Sequence, residues 1–372
     1  MGEDRQELER RYHDPRYRAL LADNLLGIAV LALIAFTPPG HALLGVVDSL
    51  PEALGAFLLG FLLVHVSALA RLPFSVWLGL LHERRFGFSR QSNGEFALDR
   101  VKAVVVESVL TGSALAGLVL CARAFASAWP VAASAGAAIV VLVLSFVAPI
   151  ALEPLFNRFR SLDASPLRDA VLKLGDTAGV PIREVLVADA SRRTTKLNAY
   201  VSGLGATRRV VLYDTLVEKA SEPEILTVVA HELGHRRYRH VAFGTAMAMA
   251  AAVGIVLALW GLLSSVSVRD AIDAAGPGDA RMAAFALLVA SVLGVVAAPI
   301  FASISRRWEY ACDRFSLEQT GDLAAFESAF GQLSTSNLPD SAPPRIAYLW
   351  LFGHPTVAER LEAARRVAAS IL

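Results

Sequence analysis

The chain has 372 residues, 55% of them hydrophobic and 19% charged, with a formal net charge of +1 and a mean hydropathy of +0.50. An ordinary soluble domain carries about 45–50% apolar and about 25% charged residues, so disorder and a single soluble core are both excluded. The near-neutral charge offers no basic surface to nucleic acid. The two cysteines, Cys121 and Cys312, exclude a disulfide scaffold and leave His and carboxylate as the metal-ligand types.

Six stretches, roughly 19–37, 53–80, 101–124, 130–152, 241–265 and 281–304, are apolar enough to cross a bilayer, which takes about 20 residues. The first has Asp23 and Asn24 near its start. It is read as a span rather than a signal peptide, because the turn Thr37-Pro38-Pro39-Gly40 follows it instead of a small-residue cleavage pattern. Gln6 stands where myristoylation of Gly2 would need Ser or Thr. With six spans, one side of the membrane carries residues 1–18, 81–100, 153–240 and 305–372, and with Lys102 these hold 31 of the 35 Lys and Arg. The exceptions are Arg71, Arg123, Arg269 and Arg281. Cytoplasmic loops carry the basic excess, so both termini and the central polar segment are expected in the cytoplasm. Only four of the basic residues are Lys, a composition of GC-rich bacterial genomes, which points to a bacterial inner membrane. His65 and Glu107 fall inside spans, either in interhelical hydrogen bonds or in the wall of a water-filled chamber.

Residues 153–240 read as a small α+β unit. Ser165-Pro166 starts a helix running to about Gly179. Three β-rich runs follow, at 184–189, 197–202 and 208–213, with Gly203-Leu204-Gly205 as a hairpin turn between the last two. Ser221-Glu222-Pro223-Glu224 is a capping box that opens the next helix.

That helix contains His231-Glu232-Leu233-Gly234-His235. Residues four apart share a helical face, so both imidazoles can reach one ion, and Glu232 can approach the attacking water as general base. This is the H-E-x-x-H pattern of zinc proteases. A catalytic zinc usually takes three protein ligands. His240, five residues past His235, points elsewhere on a continuous helix. Glu309 is the better third ligand, because it lies where the last span leaves the membrane on the side expected for His231. Asp313, one turn on, can accept a hydrogen bond from a ligating imidazole. Cys312 between them reads as packing.

Further segments match a known family in order: Leu72-Pro73-Phe74-Ser75 with Glu83 through Phe88, Pro154 through Phe159, Asn198-Ala199-Tyr200, Val210 through Leu216, Glu309 through Asp313, and His354-Pro355 through Arg360. With the His231–His235 motif they resemble the integral-membrane zinc metalloproteases of the type 1 CAAX prenyl protease (sterile-24) kind. The HtpX-type heat-shock membrane protease is a more distant relative. The resemblance implies helices enclosing a membrane chamber, and one zinc per chain held by His231, His235 and Glu309. It implies Glu232 as base, Asn198 as a hydrogen-bonding residue for a substrate strand added to the hairpin edge, and His354 and Arg360 near the developing oxyanion. Eukaryotic relatives have seven spans, one more than the six counted here.

The expected architecture is therefore a mainly α, polytopic membrane protein of six or seven spans with a small cytoplasmic zincin-like domain. Its organisation reads as a four-span region at 1–152, a catalytic segment at 153–240, a two-span hairpin at 241–304 and a second catalytic segment at 305–372. The expected activity is zinc-dependent endopeptidase cleavage of membrane-associated or lipid-modified, CAAX-like peptides, with membrane lipid around it and no obligatory protein partner. The rivals are a quality-control protease for membrane proteins and a metal-binding transporter without hydrolysis. Glu232 argues against the transporter, since a pure binding site gains nothing from a base.

Overall fold

Long runs of Leu, Val and Ala have no way to satisfy their backbone in lipid except as helix. The computed structural model describes residues 2–203 and 208–371. Within them, six helices are long and apolar enough to cross a membrane: Arg5–Phe36, Glu52–Ala70, Asn93–Ala124, Ala126–Phe156, His240–Leu263 and Ala280–Thr320. The first three belong to α1 (Gly2–Phe36), α2 (Glu52–Ala70) and α3 (Asn93–Ala124). The fourth contains α4 (Trp129–Val147).

The boundaries differ from expectation where tertiary pairing intervenes. The second span was expected to reach residue 80 and ends at Ala70. Arg71 turns to hydrogen-bond Asp23 of α1, Nε to Oδ1 at 2.8 Å, and Pro73 opens a separate short helix, Leu72–Val76. α3 starts at Asn93 rather than 101, because Ser92 and Glu95 form a capping box that was not read from the sequence. α2 and α3 touch backbone to backbone: a Cβ on Gly60 would lie 2.7 Å from the Gly112 Cα. Small residues permit such approach between membrane helices.

The soluble unit follows. A short strand absent from the sequence reading, β1 (Phe159–Ser161), precedes α5 (Pro166–Thr177). The Ser165 hydroxyl caps α5 by accepting from the Arg168 amide at 3.3 Å, a contact worth about 1 kcal/mol. Then come β2 (Glu184–Ala188), β3 (Ala199–Ser202) and β4 (Arg209–Tyr213). The sheet order is β1-β2-β4-β3. β2 and β4 are parallel and β3 is antiparallel to β4, with Ala199 opposite Leu212 and Ser202 opposite Arg209. Most of the expected turn, Leu204 and Gly205, lies outside the described residues. β3 is thus an edge strand.

α6 (Glu222–Arg237) opens with the expected capping box, Ser221 amide to Glu224 Oε2 at 2.6 Å. It covers the sheet through Ile225, Val229 and Leu233, which pack with Val185, Leu212 and Phe315. α7 (His240–Leu263) and α8 (Ala283–Thr320) are the last two spans. Phe315 belongs to the part of α8 that runs on past the membrane, so one helix serves both layers. α9 (Leu323–Asn337) and α10 (Val357–Ile371) pack on it through Phe326, Phe330 and Ala364.

In the membrane layer a cavity of about 780 Å³ opens between α1, α2, α3, α8 and a short helix, Arg345–Leu351, with Leu31, Leu63, Glu107, Leu287 and Trp350 among its lining. Glu107 therefore stands in a chamber wall. His65 does not line it; its Nδ1 lies 2.8 Å from the Phe61 carbonyl and 3.3 Å from Ser108 Oγ.

Candidate metal centre

His231 and His235 project from one face of α6, their Nε2 atoms 3.3 Å apart. Glu309 reaches them from α8, Oε2 lying 3.3 Å from His231 Nε2 and Oε1 3.3 Å from His235 Nε2. Ligands bonded to zinc at about 2.0–2.1 Å in tetrahedral geometry stand about 3.3–3.4 Å from each other, so this triangle has the right size. Glu309 is 1% exposed, yet its Oε2 has no hydrogen-bond partner of acceptable geometry. Arg360 Nη1 at 3.3 Å and His354 Nδ1 at 2.7 Å offset the charge of this oxygen without a well-aligned hydrogen bond, and a metal ion is the partner that would meet it directly. Two imidazoles and a carboxylate fit zinc.

α6 and α8 approach closely because Gly234 lies between the two histidines. A Cβ there would stand 3.1 Å from the Cys312 Cα and 3.2 Å from its Cβ and Sγ. Cys312 is fully buried. A second donor set, His231, His235 and Cys312, also has its ligand atoms within 4.8 Å of one another. The thiol, however, lies 3.6 Å from His240 Nδ1, and that nitrogen lies 3.2 Å from His235 Nδ1. Cys312 thus borders His240 as well as the two histidines of the motif.

Behind the triangle, His231 Nδ1 lies 2.9 Å from Asp313 Oδ1. Arg360, from α10, donates to Asp313 Oδ2 at 2.8 Å and Oδ1 at 2.5 Å. Its Nη1 lies 3.3 Å from Glu309 Oε2. The guanidinium packs over the Phe330 ring at 4.4 Å. Burial favours its neutral form, but Asp313 and Glu309 hold its pKa above the ordinary value. For His231, burial and Arg360 push the pKa down, while the hydrogen bond to Asp313 and the adjoining Glu309 carboxylate outweigh them and lift it to about 9.

His354 stands on the open side. Its Nδ1 is 2.7 Å from Glu309 Oε2 while its side chain is 69% exposed. It does not cap α10; Thr356 does, with the Glu359 amide 3.3 Å from Thr356 Oγ1. Glu232 is partly buried on α6 beside His231. Its charge is felt by both Arg236 and Arg360.

Asn198 is exposed at the start of β3. Its carbonyl accepts from the Tyr213 amide at 3.0 Å, so that carbonyl is spent on β4, and the residue as a whole is exposed. By antiparallel alternation, Ala199 and Val201 turn their backbone groups to the open edge. The Val201 carbonyl is taken by Arg236 of α6. Asn337 brackets the preceding residue, with Oδ1 2.8 Å from the Leu197 amide and Nδ2 3.0 Å from its carbonyl. The sequence carried no local sign of Asn337 or of the Arg360–Asp313 pairing, since both join distant segments.

The model of Peptidase family M48 matches residues 161–368, and that of the CAAX prenyl protease N-terminal region, described as five membrane helices, matches residues 3–158. Four of the long apolar helices lie in that second range. The chain is 28% identical over 309 residues to the uncharacterized metalloprotease YhfN of Bacillus subtilis, covering 82% of this chain and 72% of the relative. It is 27% identical over 312 residues to a CAAX prenyl protease 1 homolog of Oryza sativa, covering 83% and 72%. The crystal structure of S. mikatae Ste24p superposes with a TM-score of 0.78 at 22% identity, covering 98% of this chain and 89% of that one, and so shares its fold. A family match over more than half of the chain, coming on top of six membrane helices, places it: the chain belongs to peptidase family M48 and is a multi-pass membrane metalloprotease.

Proposed function

We propose that the chain is an endopeptidase for membrane-associated or lipid-modified peptides, with one zinc per chain held by His231, His235 and Glu309. The observation that carries this reading is the triangle of ligand atoms with 3.3 Å edges, one residue from the Glu232 carboxylate. The apolar cavity between the membrane helices supports a substrate with an apolar part, and several relatives are named CAAX prenyl proteases. The charge bias of the loops supports a cytoplasmic active site and termini, in a bacterial inner membrane. The four-part organisation at 1–152, 153–240, 241–304 and 305–372 stands with this reading.

The chemistry a bound zinc supplies is Lewis acidity toward a peptide carbonyl and a lowered pKa for water. Glu232 takes one proton from the attacking water. The hydroxyl joins the carbonyl carbon, the C–N bond breaks, and Glu232 returns the proton to the leaving nitrogen. His354, exposed beside Glu309, donates to the carbonyl oxygen as it gains charge. Arg360 fixes Asp313 and Glu309 and adds positive charge behind them. An extended substrate adds to β3, pairing with the edge-facing backbone groups of Ala199, with the Val201 amide and with the Asn198 side chain, while the Val201 carbonyl stays with Arg236.

The test is a substrate trap. Glu232→Gln protein in source-cell membranes should retain peptides that the wild type cleaves, identified by mass spectrometry. Wild-type turnover by Glu232→Gln would overturn the assignment of the base. Captured peptides drawn broadly from misfolded membrane proteins would replace the lipid-modified substrate with quality control.

A further inference from the structure

His235 needs an acceptor as much as His231 does. A neutral imidazole that gives Nε2 to a metal carries its hydrogen on Nδ1, and whatever accepts that hydrogen fixes the ring. For His231 the acceptor is Asp313. For His235 the atom in place is His240 Nδ1, at 3.2 Å. On a continuous helix a residue five positions on would point away. Here the chain turns at Arg239, whose φ of 58° and ψ of 30° are left-handed, a conformation uncommon outside glycine. α6 ends at Arg237 and α7 begins at His240, so the turn swings the His240 ring back over His235. Their ring centroids are 5.2 Å apart at 76°.

His240 is itself held. It is 7% exposed and lies flat on Trp308, with centroids 4.7 Å apart and 8° between the planes. Trp308 precedes Glu309 on α8, so the helix that supplies the third ligand also sets the ring behind the second. We propose that His240 is a positioning residue for the metal centre: its Nδ1 accepts the hydrogen of His235 Nδ1 and so fixes the tautomer and direction of that ligand. His240 then carries its own hydrogen on Nε2. The two imidazole ligands are backed differently, His231 by a carboxylate and His235 by a neutral ring. This rests on His235 being a ligand, which His235→Ala tests separately through zinc content.

The experiment measures the zinc dissociation constant of the full-length protein in detergent by chelator competition, with no substrate present. His240→Phe keeps the aromatic stack on Trp308 and loses the acceptor. His240→Asn loses the stack and keeps an oxygen near the place of Nδ1. Loss of such an acceptor typically weakens metal binding about 10–100-fold, so His240→Phe should lose that much while His240→Asn stays within a few-fold of wild type. Should His240→Phe fail to fold, His240→Leu against His240→Asn reads the same acceptor at similar volume. Wild-type affinity in the Phe or Leu variant, with unchanged thermal unfolding, would overturn the proposal. Equal weakening in the Asn and Phe variants would do so too, because it would make His240 a packing residue only.

Discussion

Arg360 grips both carboxylate oxygens of Asp313, with Nε 2.8 Å from Oδ2 and Nη2 2.5 Å from Oδ1. Asp313 is buried and the Arg360 side chain is 11% exposed, and Asp313 in turn meets His231 Nδ1 at 2.9 Å. A buried carboxylate backed by a bidentate guanidinium remains ionised and fixed in direction, so the His231 imidazole, in the proposed ligand set, is aimed by a residue 129 positions further along the chain.

The first prediction follows from that fork. Arg360→Lys keeps the charge and loses the two parallel hydrogen bonds, so it is not conservative here. Zinc affinity should fall about 10–100-fold. Arg360→Ala should also lower stability by about 3–5 kcal/mol, the usual result of leaving a buried charge without its partner. Zinc titration and thermal unfolding of both variants separate the effects. Unchanged zinc binding in Arg360→Lys would show that a charge alone suffices.

The second concerns the ligand set. Glu309→Gln should lose zinc, because an amide is a poor substitute where both carboxylate oxygens face the imidazoles. Glu232→Gln should retain it and lose about 10²–10⁴-fold in peptidase rate. Elemental analysis beside one peptide assay distinguishes the two. Full zinc in Glu309→Gln would return Cys312 to consideration as a ligand.

Much of this centre was legible in the sequence, and the reason is geometric. His231 with His235, and Glu309 with Asp313, are pairs four apart on helices, so spacing alone places each pair on one face. The N-cap at Ser165 and the capping box at Ser221 are equally local. Arg360 could be named only by resemblance, because its partners are fixed by how α10 lies on α8. His240 was set aside on the assumption of a continuous helix, and nothing around Arg239 announces a left-handed residue. The second span was overdrawn because the Asp23–Arg71 pair that ends it joins two helices. β1 escaped notice because its three residues are mostly exposed and carry no alternation.

A third prediction uses the contact that brings the ligand helices together. Gly234→Ala places a Cβ about 3.1 Å from a backbone atom of α8, which cannot rotate away. Forcing the helices apart should cost about 1–3 kcal/mol and widen the ligand triangle. Zinc content should therefore drop as well as the unfolding temperature. Cys312→Ala on top of Gly234→Ala removes only the sulfur contact and should not restore binding. Rescue by that double variant would mean that the thiol, not the helix backbone, sets the spacing.

The last prediction is a pH dependence with opposite signs for two measurements. In the zinc-free protein the hydrogen bond to Asp313 and the neighbouring Glu309 carboxylate raise the His231 pKa from 6.5 to about 9 against the effects of burial and Arg360. A folded-state pKa above the unfolded value means that the protonated ring stabilises the fold fully below about pH 6.5, and that this stability fades as pH rises through about 9. Zinc needs the same ring unprotonated. At pH 7 zinc loading should therefore release about one proton from His231, measurable by calorimetry in buffers of different ionisation enthalpy. Affinity should rise about tenfold per pH unit up to about pH 9 and then level off. Over that range the unfolding temperature of the zinc-free protein should decline. An affinity that levels off near pH 6.5 would show that Asp313 and Glu309 do not hold a proton on His231, and that Arg360 neutralises them instead.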